Sequence, residues 1–241
     1  VTAAPPVVAA VTNAASFAAG PVAPGEIIVV FGTGFGPSPL VPPSVTAAGL
    51  LDTTLGRTRV LFDGIAAPMI YAVSGQVSAI IPYGVAAKPS TSLQVEYNGV
   101  LSGAIPLQVT VTSPALFTLD SAGQGAILNQ DTSVNGAQNG AAPGSIVSLY
   151  ATGAGVMNPA SPDGSIISTD ALPKPAADVS VTIGGLPTTV FYAGAAPDAP
   201  SGLLQVNVQI PDGAPRGQSV PVILTIGPAA SLAVVTVAIA P

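Results

Sequence analysis

The sequence predicts an all-β protein made of two tandem β-sandwiches, on three observations. Apolar residues alternate with a period of two in short runs. The runs are separated by Asp-Gly, Asn-Gly and Gly-Gly pairs. The whole pattern occurs twice within 241 residues.

The strands follow in order. Ile27 to Phe31 is a run of bulky apolar residues closed by Gly32-Thr33-Gly34-Phe35-Gly36. Val60 and Phe62, then Met69 and Tyr71, alternate about Asp63-Gly64. Leu93, Val95 and Tyr97 alternate before Asn98-Gly99, and Leu107, Val109 and Val111 come next. In the second copy Val179, Val181 and Ile183 precede Gly184-Gly185. Val206, Val208 and Ile210 follow, then Val222, Leu224 and Ile226. A period of two places alternate residues on one face of a strand. Asp-Gly, Asn-Gly and Gly-Gly suit two-residue hairpins, because both central residues need positive φ. Short strands at this spacing predict a sandwich. No stretch carries a helical stripe. Pro37 to Asp52 and Asn158 to Ala177 read as Pro-rich loops in matching places.

The repetition is explicit. "VAPGEIIVVFGTGFGP" (Val22 to Pro37) returns as "AAPGSIVSLYATGAGVMNP" (Ala141 to Pro159). "VLFDGIAAPMIYA" (Val60 to Ala72) returns as "VTIGGLPTTVFYA" (Val181 to Ala193), and "QVSAIIP" (Gln76 to Pro82) as "QVNVQIP" (Gln205 to Pro211). Matched blocks in one order divide the chain into residues 1–112 and 113–241.

A glycine-rich turn after a strand also raises the question of a phosphate-binding loop. Such a loop needs a helix to follow, so that the helix N-terminus faces the anion. Here Pro37, Pro39, Pro42 and Pro43 follow, and the motif lacks its lysine. The glycines read instead as a sharp turn through positive φ, with Phe35 capping the core.

At these residues a resemblance appears. "APGEIIVVFGTGFGP" resembles the opening of immunoglobulin-like IPT/TIG domains. With "GQVSAIIPYGV", "LQVEYNGVLS", "GAILNQDTSVN" and "VTIGGLPTTVFYAGAAP", nearly the whole chain resembles an uncharacterised two-domain module. That module is found at the C-terminus of large secreted proteins of Acidobacteria, of the Solibacter type. The resemblance implies Ig-like sandwiches and an extracellular location, and it carries no activity to transfer.

Composition narrows the function. Only 7% of residues are charged, against a usual figure of about 25%. Net charge is −6, and the five basic residues are dispersed apart from Arg57 and Arg59, so nucleic acid and membrane insertion are not expected. The chain opens at "VTAAPP" without an initiator Met, as a secreted chain would after signal-peptide removal. Without His or Cys there is no His-based triad and no thiolate or His-bearing zinc site. Lys88 and Lys174 lie beside prolines and read as solvated charges. Acids such as Asp63, Asp163 and Asp212 precede glycines and read as turn residues. No enzyme activity and no cofactor are expected. With few acids and no histidine, stability is expected to be nearly flat from pH 7 to about 4.

Three sets of residues remain as candidates. Asn129, Asp131, Ser133 and Asn135 alternate as calcium-loop oxygens do, although a hairpin turn explains them equally. Tyr83 and Tyr97 are the candidates for a ligand surface; Tyr71 and Tyr192 occupy equivalent repeat positions and read as packing residues. Val7, Val8 and Val11 form an uncharged apolar segment suited either to the first strand of their own domain or to completing a neighbour's sheet. The functional expectation is a non-enzymatic extracellular structural protein. It would self-associate, or join other cell-surface proteins, into a filament by β-strand addition. The alternative is an adhesin or carbohydrate-binding accessory module, with glycans as partners.

Overall fold

The structure, a computed structural model, describes residues 4–241. Among these residues it is all-β, apart from one 3-10 turn, Tyr83–Val85. The longer strands of the first half are β1 (Val7–Asn13), β2 (Ile27–Thr33), β3 (Thr58–Phe62), β4 (Met69–Val73), β5 (Gln76–Ile80), β6 (Ser90–Tyr97) and β7 (Ile105–Gln108). Those of the second half are β8 (Ile146–Thr152), β9 (Val179–Ile183), β10 (Val190–Ala195), β11 (Leu204–Gln209), β12 (Gly217–Ile226) and β13 (Thr236–Ile239).

In the first half one antiparallel sheet runs β1-β2-β5-β4, and the other pairs β3 with β6 and β6 with β7. Their facing sides share one core: Ile28, Val30 and Val77 from the first sheet meet Val60, Phe62, Leu93 and Val95 from the second. The second half repeats the plan. Sheet β8-β11-β10 supplies Val147, Leu149, Val206 and Val208, and sheet β9-β12 supplies Val181, Ile183, Val222 and Leu224. Burial follows the sequence period. In β11, Leu204, Val206 and Val208 are buried and the residues between them are only partly so.

The residue two before each Pro-Gly pair makes an isolated bridge of the same kind. Val22 bridges Val109 in parallel, and Ala141 bridges Ile239 in parallel. The hairpin turns are as read: Asp63-Gly64 (φ 51° and 82°), Asn98-Gly99 (51° and 80°) and Gly184-Gly185 (60° and 82°) all have positive φ at both residues. Gly34 turns at φ 73°, and Phe35 beyond it is fully buried in the first core. Gly32 is required for close approach, since a Cβ there would lie 2.0 Å from Val7 O and 2.2 Å from the Phe35 ring.

The two halves are in contact. Ile27, Leu51 and Ile80 of the first pack with Phe117, Ile166 and Leu203 of the second. Leu51 N–H donates to Gly164 O at 2.8 Å, joining the two Pro-rich loops. Each half also carries a β-bulge at the same place, between Met69 and Tyr71 and between Val190 and Tyr192. The bulged residues are therefore Ile70 and Phe191.

Candidate functional site

The most chemically distinctive place lies where the halves meet. β1 ends at Asn13, β2 is entered through Pro24-Gly25-Glu26, and the connection to the second half passes Thr112 and Ser113. Glu26 is only 1% exposed. Its Oε1 accepts from Asn13 Nδ2 at 2.8 Å and its Oε2 from Ala23 N–H at 2.7 Å. Asn13 Nδ2 also donates to Ser113 O at 3.3 Å, and Asn13 Oδ1 accepts from Ala15 N–H at 2.8 Å. One amide thus ties three segments to a buried carboxyl.

Burial pushes the Glu26 carboxyl from 4.5 up to about 7. Hydrogen bonds from Ala23 N–H, the Asn13 amide and Ser113 pull the other way, but desolvation is the larger effect. The expectation of a flat stability profile is therefore corrected: a buried acid that titrates near neutrality makes stability depend on pH. Glu26 follows Pro24-Gly25, a local context that does not set it apart from the acids in turns. Its signal was the repeat itself, because the second copy has Ser145 at this position, and Ser145 is only partly buried.

Beside Glu26 is an open groove of about 310 Å³, lined by Asn13, Glu26, Thr110, Thr112, Ser113 and Leu232 among others. Its polar wall combines hydroxyl and amide groups with the Glu26 carboxyl. Next to it the junction is sealed by Thr152, which is fully buried. Thr152 Oγ1 accepts from Ile27 N–H at 2.8 Å and donates to Gly202 O at 2.9 Å, so one hydroxyl satisfies groups from both halves.

The sequence-read candidates fall elsewhere. Tyr83 is not a surface platform. It sits in the 3-10 turn, packs on the core of the second half, and its ring lies against Gly25. Asp163 Oδ1 accepts from Tyr83 N–H at 2.8 Å, and burial pushes the phenol up to about 12. Tyr97 is half-buried on β6, opposite Thr58. Tyr71 Oη accepts from Gln76 Nε2 across the β4–β5 hairpin, and Tyr192 Oη donates to Ala195 O at 2.7 Å within β10.

Asn129, Asp131, Ser133 and Asn135 do come together, as a hydrogen-bonded turn. Ser133 N–H donates to Asp131 Oδ1 at 3.0 Å, and Asn135 Nδ2 donates to Asn129 Oδ1 at 2.9 Å. Asn135 is 1% exposed and brackets β13, accepting from Ala238 N–H at 2.8 Å and donating to Ala238 O at 2.9 Å. Asn129 Oδ1, Asp131 Oδ1 and Asn135 Oδ1 thus each already accept a hydrogen bond. Among the described residues, no group of three or more acidic side chains is placed to hold a metal. Lys88 is not simply solvated, since its ammonium donates to Asp63 Oδ2 at 2.9 Å.

Val7, Val8 and Val11 lie in β1, paired antiparallel with β2 of their own sheet. Val8 and Val11 pack on their own core and Val7 is 58% exposed. Within the chain β1 is thus the outermost strand of its own sheet, the first of the two readings of this segment. Val1 to Ala3, the start of that segment, lie outside the described residues. No protein-family model matches the chain, and no curated protein sequence matches it significantly.

Proposed function

We propose that the chain is a non-enzymatic extracellular structural protein, with residues 1–112 and 113–241 as tandem Ig-like domains, that assembles head to tail into a cell-surface filament by β-strand addition. The observation that carries this reading is the edge strand β1. It is outermost in its sheet, uncharged from Val7 to Val11, and exposed at Val7, Ala9 and Ala10. An uncharged sheet edge is a template for pairing with another chain, and lysines are the usual block. In this reading β1 receives a neighbour's strand instead of being donated. The test is light scattering and electron microscopy of the native chain over a concentration series, beside Ala10→Lys. Growing assemblies that Ala10→Lys suppresses support the reading; a native chain that stays monomeric throughout overturns it.

The junction groove favours a second reading, an adhesin or carbohydrate-binding accessory module. Its hydroxyl and amide wall suits a sugar, and a glycan titration that saturates with a monomeric chain would select it over assembly.

A further inference from the structure

We propose that the face around Phe191 is the docking surface for the N-terminal end of a second copy of this chain. The proposal rests on the head-to-tail reading above and adds, beside strand addition at the β1 edge, a face on which the end of β1 packs.

The first half shows how such a face is used. There Ile27 pairs with Ile80, and Ile70 stands in the bulge beside them. All three are covered by the second half through Phe117, Ile166 and Leu203. In the second half the same register recurs: Ile146 pairs with Gln209, and Phe191 stands in the bulge. Phe191 is nevertheless 58% exposed. A lone exposed aromatic needs no explanation. One that occupies the position of a covered contact residue is placed for a partner.

The intrachain contact also identifies that partner. The covering end of the second half begins at Ala115, which pairs with Thr152 just as Val7 pairs with Thr33 in the first. The counterpart of the covering end is therefore the Val7 and Thr33 end of a first half, where Val7 is exposed and the exposed Ala9 and Ala10 stand in place of Phe117. Neither surface carries a charge at these positions, so no unpaired ion is buried. Gln209 stands where Ile80 stands, which makes the contact between chains weaker than the one within a chain. The two surfaces differ, so the contact is heterologous and propagates as an open filament unless its rotation closes a ring.

The test compares Phe191→Lys and Val7→Lys with the native chain, and with Ile65→Lys as an exposed apolar control on the other sheet. All three positions are exposed, so the fold is retained and circular dichroism checks it. The expected result is that both face variants raise the concentration needed for assembly by about tenfold or more, the scale of one aromatic anchor, while Ile65→Lys leaves it unchanged. If the native chain assembles and Phe191→Lys assembles equally well, this face is wrong and the filament reading survives. Equal loss in Ile65→Lys also overturns the face. A native chain that never assembles overturns both.

Discussion

Asn13 Nδ2 lies 2.8 Å from Glu26 Oε1, and the same amide nitrogen reaches Ser113 O. An uncharged amide is the partner of a buried carboxyl, with no cation in its hydrogen-bond set. The charge of Glu26 is therefore hydrogen-bonded but not neutralised, which is why burial dominates its titration.

The first prediction is a stability that rises on mild acidification. The Glu26 carboxyl titrates at 4.5 when unfolded and at about 7 in the fold, so the folded state holds the proton more tightly. Its contribution is fully present below 4.5 and is lost as pH rises through 7. The shift corresponds to about 3 kcal/mol between these limits. Melting temperature is expected to be higher at pH 5 than at pH 8. An unchanged melting temperature between these pH values would show that Glu26 is ionised in the native state throughout. Asp63 acts in the opposite sense at lower pH. The Lys88 ammonium holds its carboxyl below the ordinary 3.8, and that contribution is lost as pH falls through the depressed value.

Glu26→Gln is expected to flatten the profile between pH 5 and pH 8. At pH 5 the native group is the protonated acid, whose carbonyl and hydroxyl oxygens can both accept; the Gln amide has one acceptor and an NH2 that cannot accept, so it keeps only one of the bonds from Asn13 and Ala23. The variant should lose about 1 kcal/mol at pH 5 and be the more stable form at pH 8. Urea titration of both proteins at both pH values measures the crossing. A variant that keeps the native slope with pH would move the titration to another group.

Thr152→Val removes the hydroxyl that serves Ile27 N–H and Gly202 O while keeping the shape. Both groups are then left unpaired at the junction, at an expected cost of about 2 kcal/mol. Chemical denaturation should show a lower midpoint. An unchanged midpoint would mean that water replaces the hydroxyl and the junction is wetter than its burial indicates.

Gly32→Ala places a methyl against Val7 O and the Phe35 ring. Overpacking of this kind costs about 1–3 kcal/mol. Hydrogen exchange should show the loss concentrated in β1, which is the element free to move away. Uniform loss across the first half would instead place the strain in the core.

Asn135→Ala and Asp131→Ala separate a bracket from a metal site. Asn135 makes two bonds to Ala238 in a buried setting, and its removal should cost about 2 kcal/mol. Asp131 is fully exposed, and its loss should change stability little. Adding calcium should leave the native melting temperature unchanged; a rise abolished by Asp131→Ala would restore the calcium reading.

The sequence by itself determined the strands, their turns and their repetition. Those features are local: a period of two, and pairs such as Asn98-Gly99 that accept positive φ, act within a few residues of chain. The alternation of Leu204, Val206 and Val208 with polar residues fixed which side of β11 faces the core. What lies beyond the core was decided only in three dimensions. Glu26, Tyr83 and Phe191 each stand where one half meets the other or has no neighbour, and no local period encodes that. Glu26 is buried because Asn13 and the connection past Ser113 close over it, while Ser145 at the same repeat position stays partly open. Tyr83 is covered because the second half packs against it. Ile70 and Phe191 share one register position, and packing of the second half on the first leaves Ile70 partly buried and Phe191 in water.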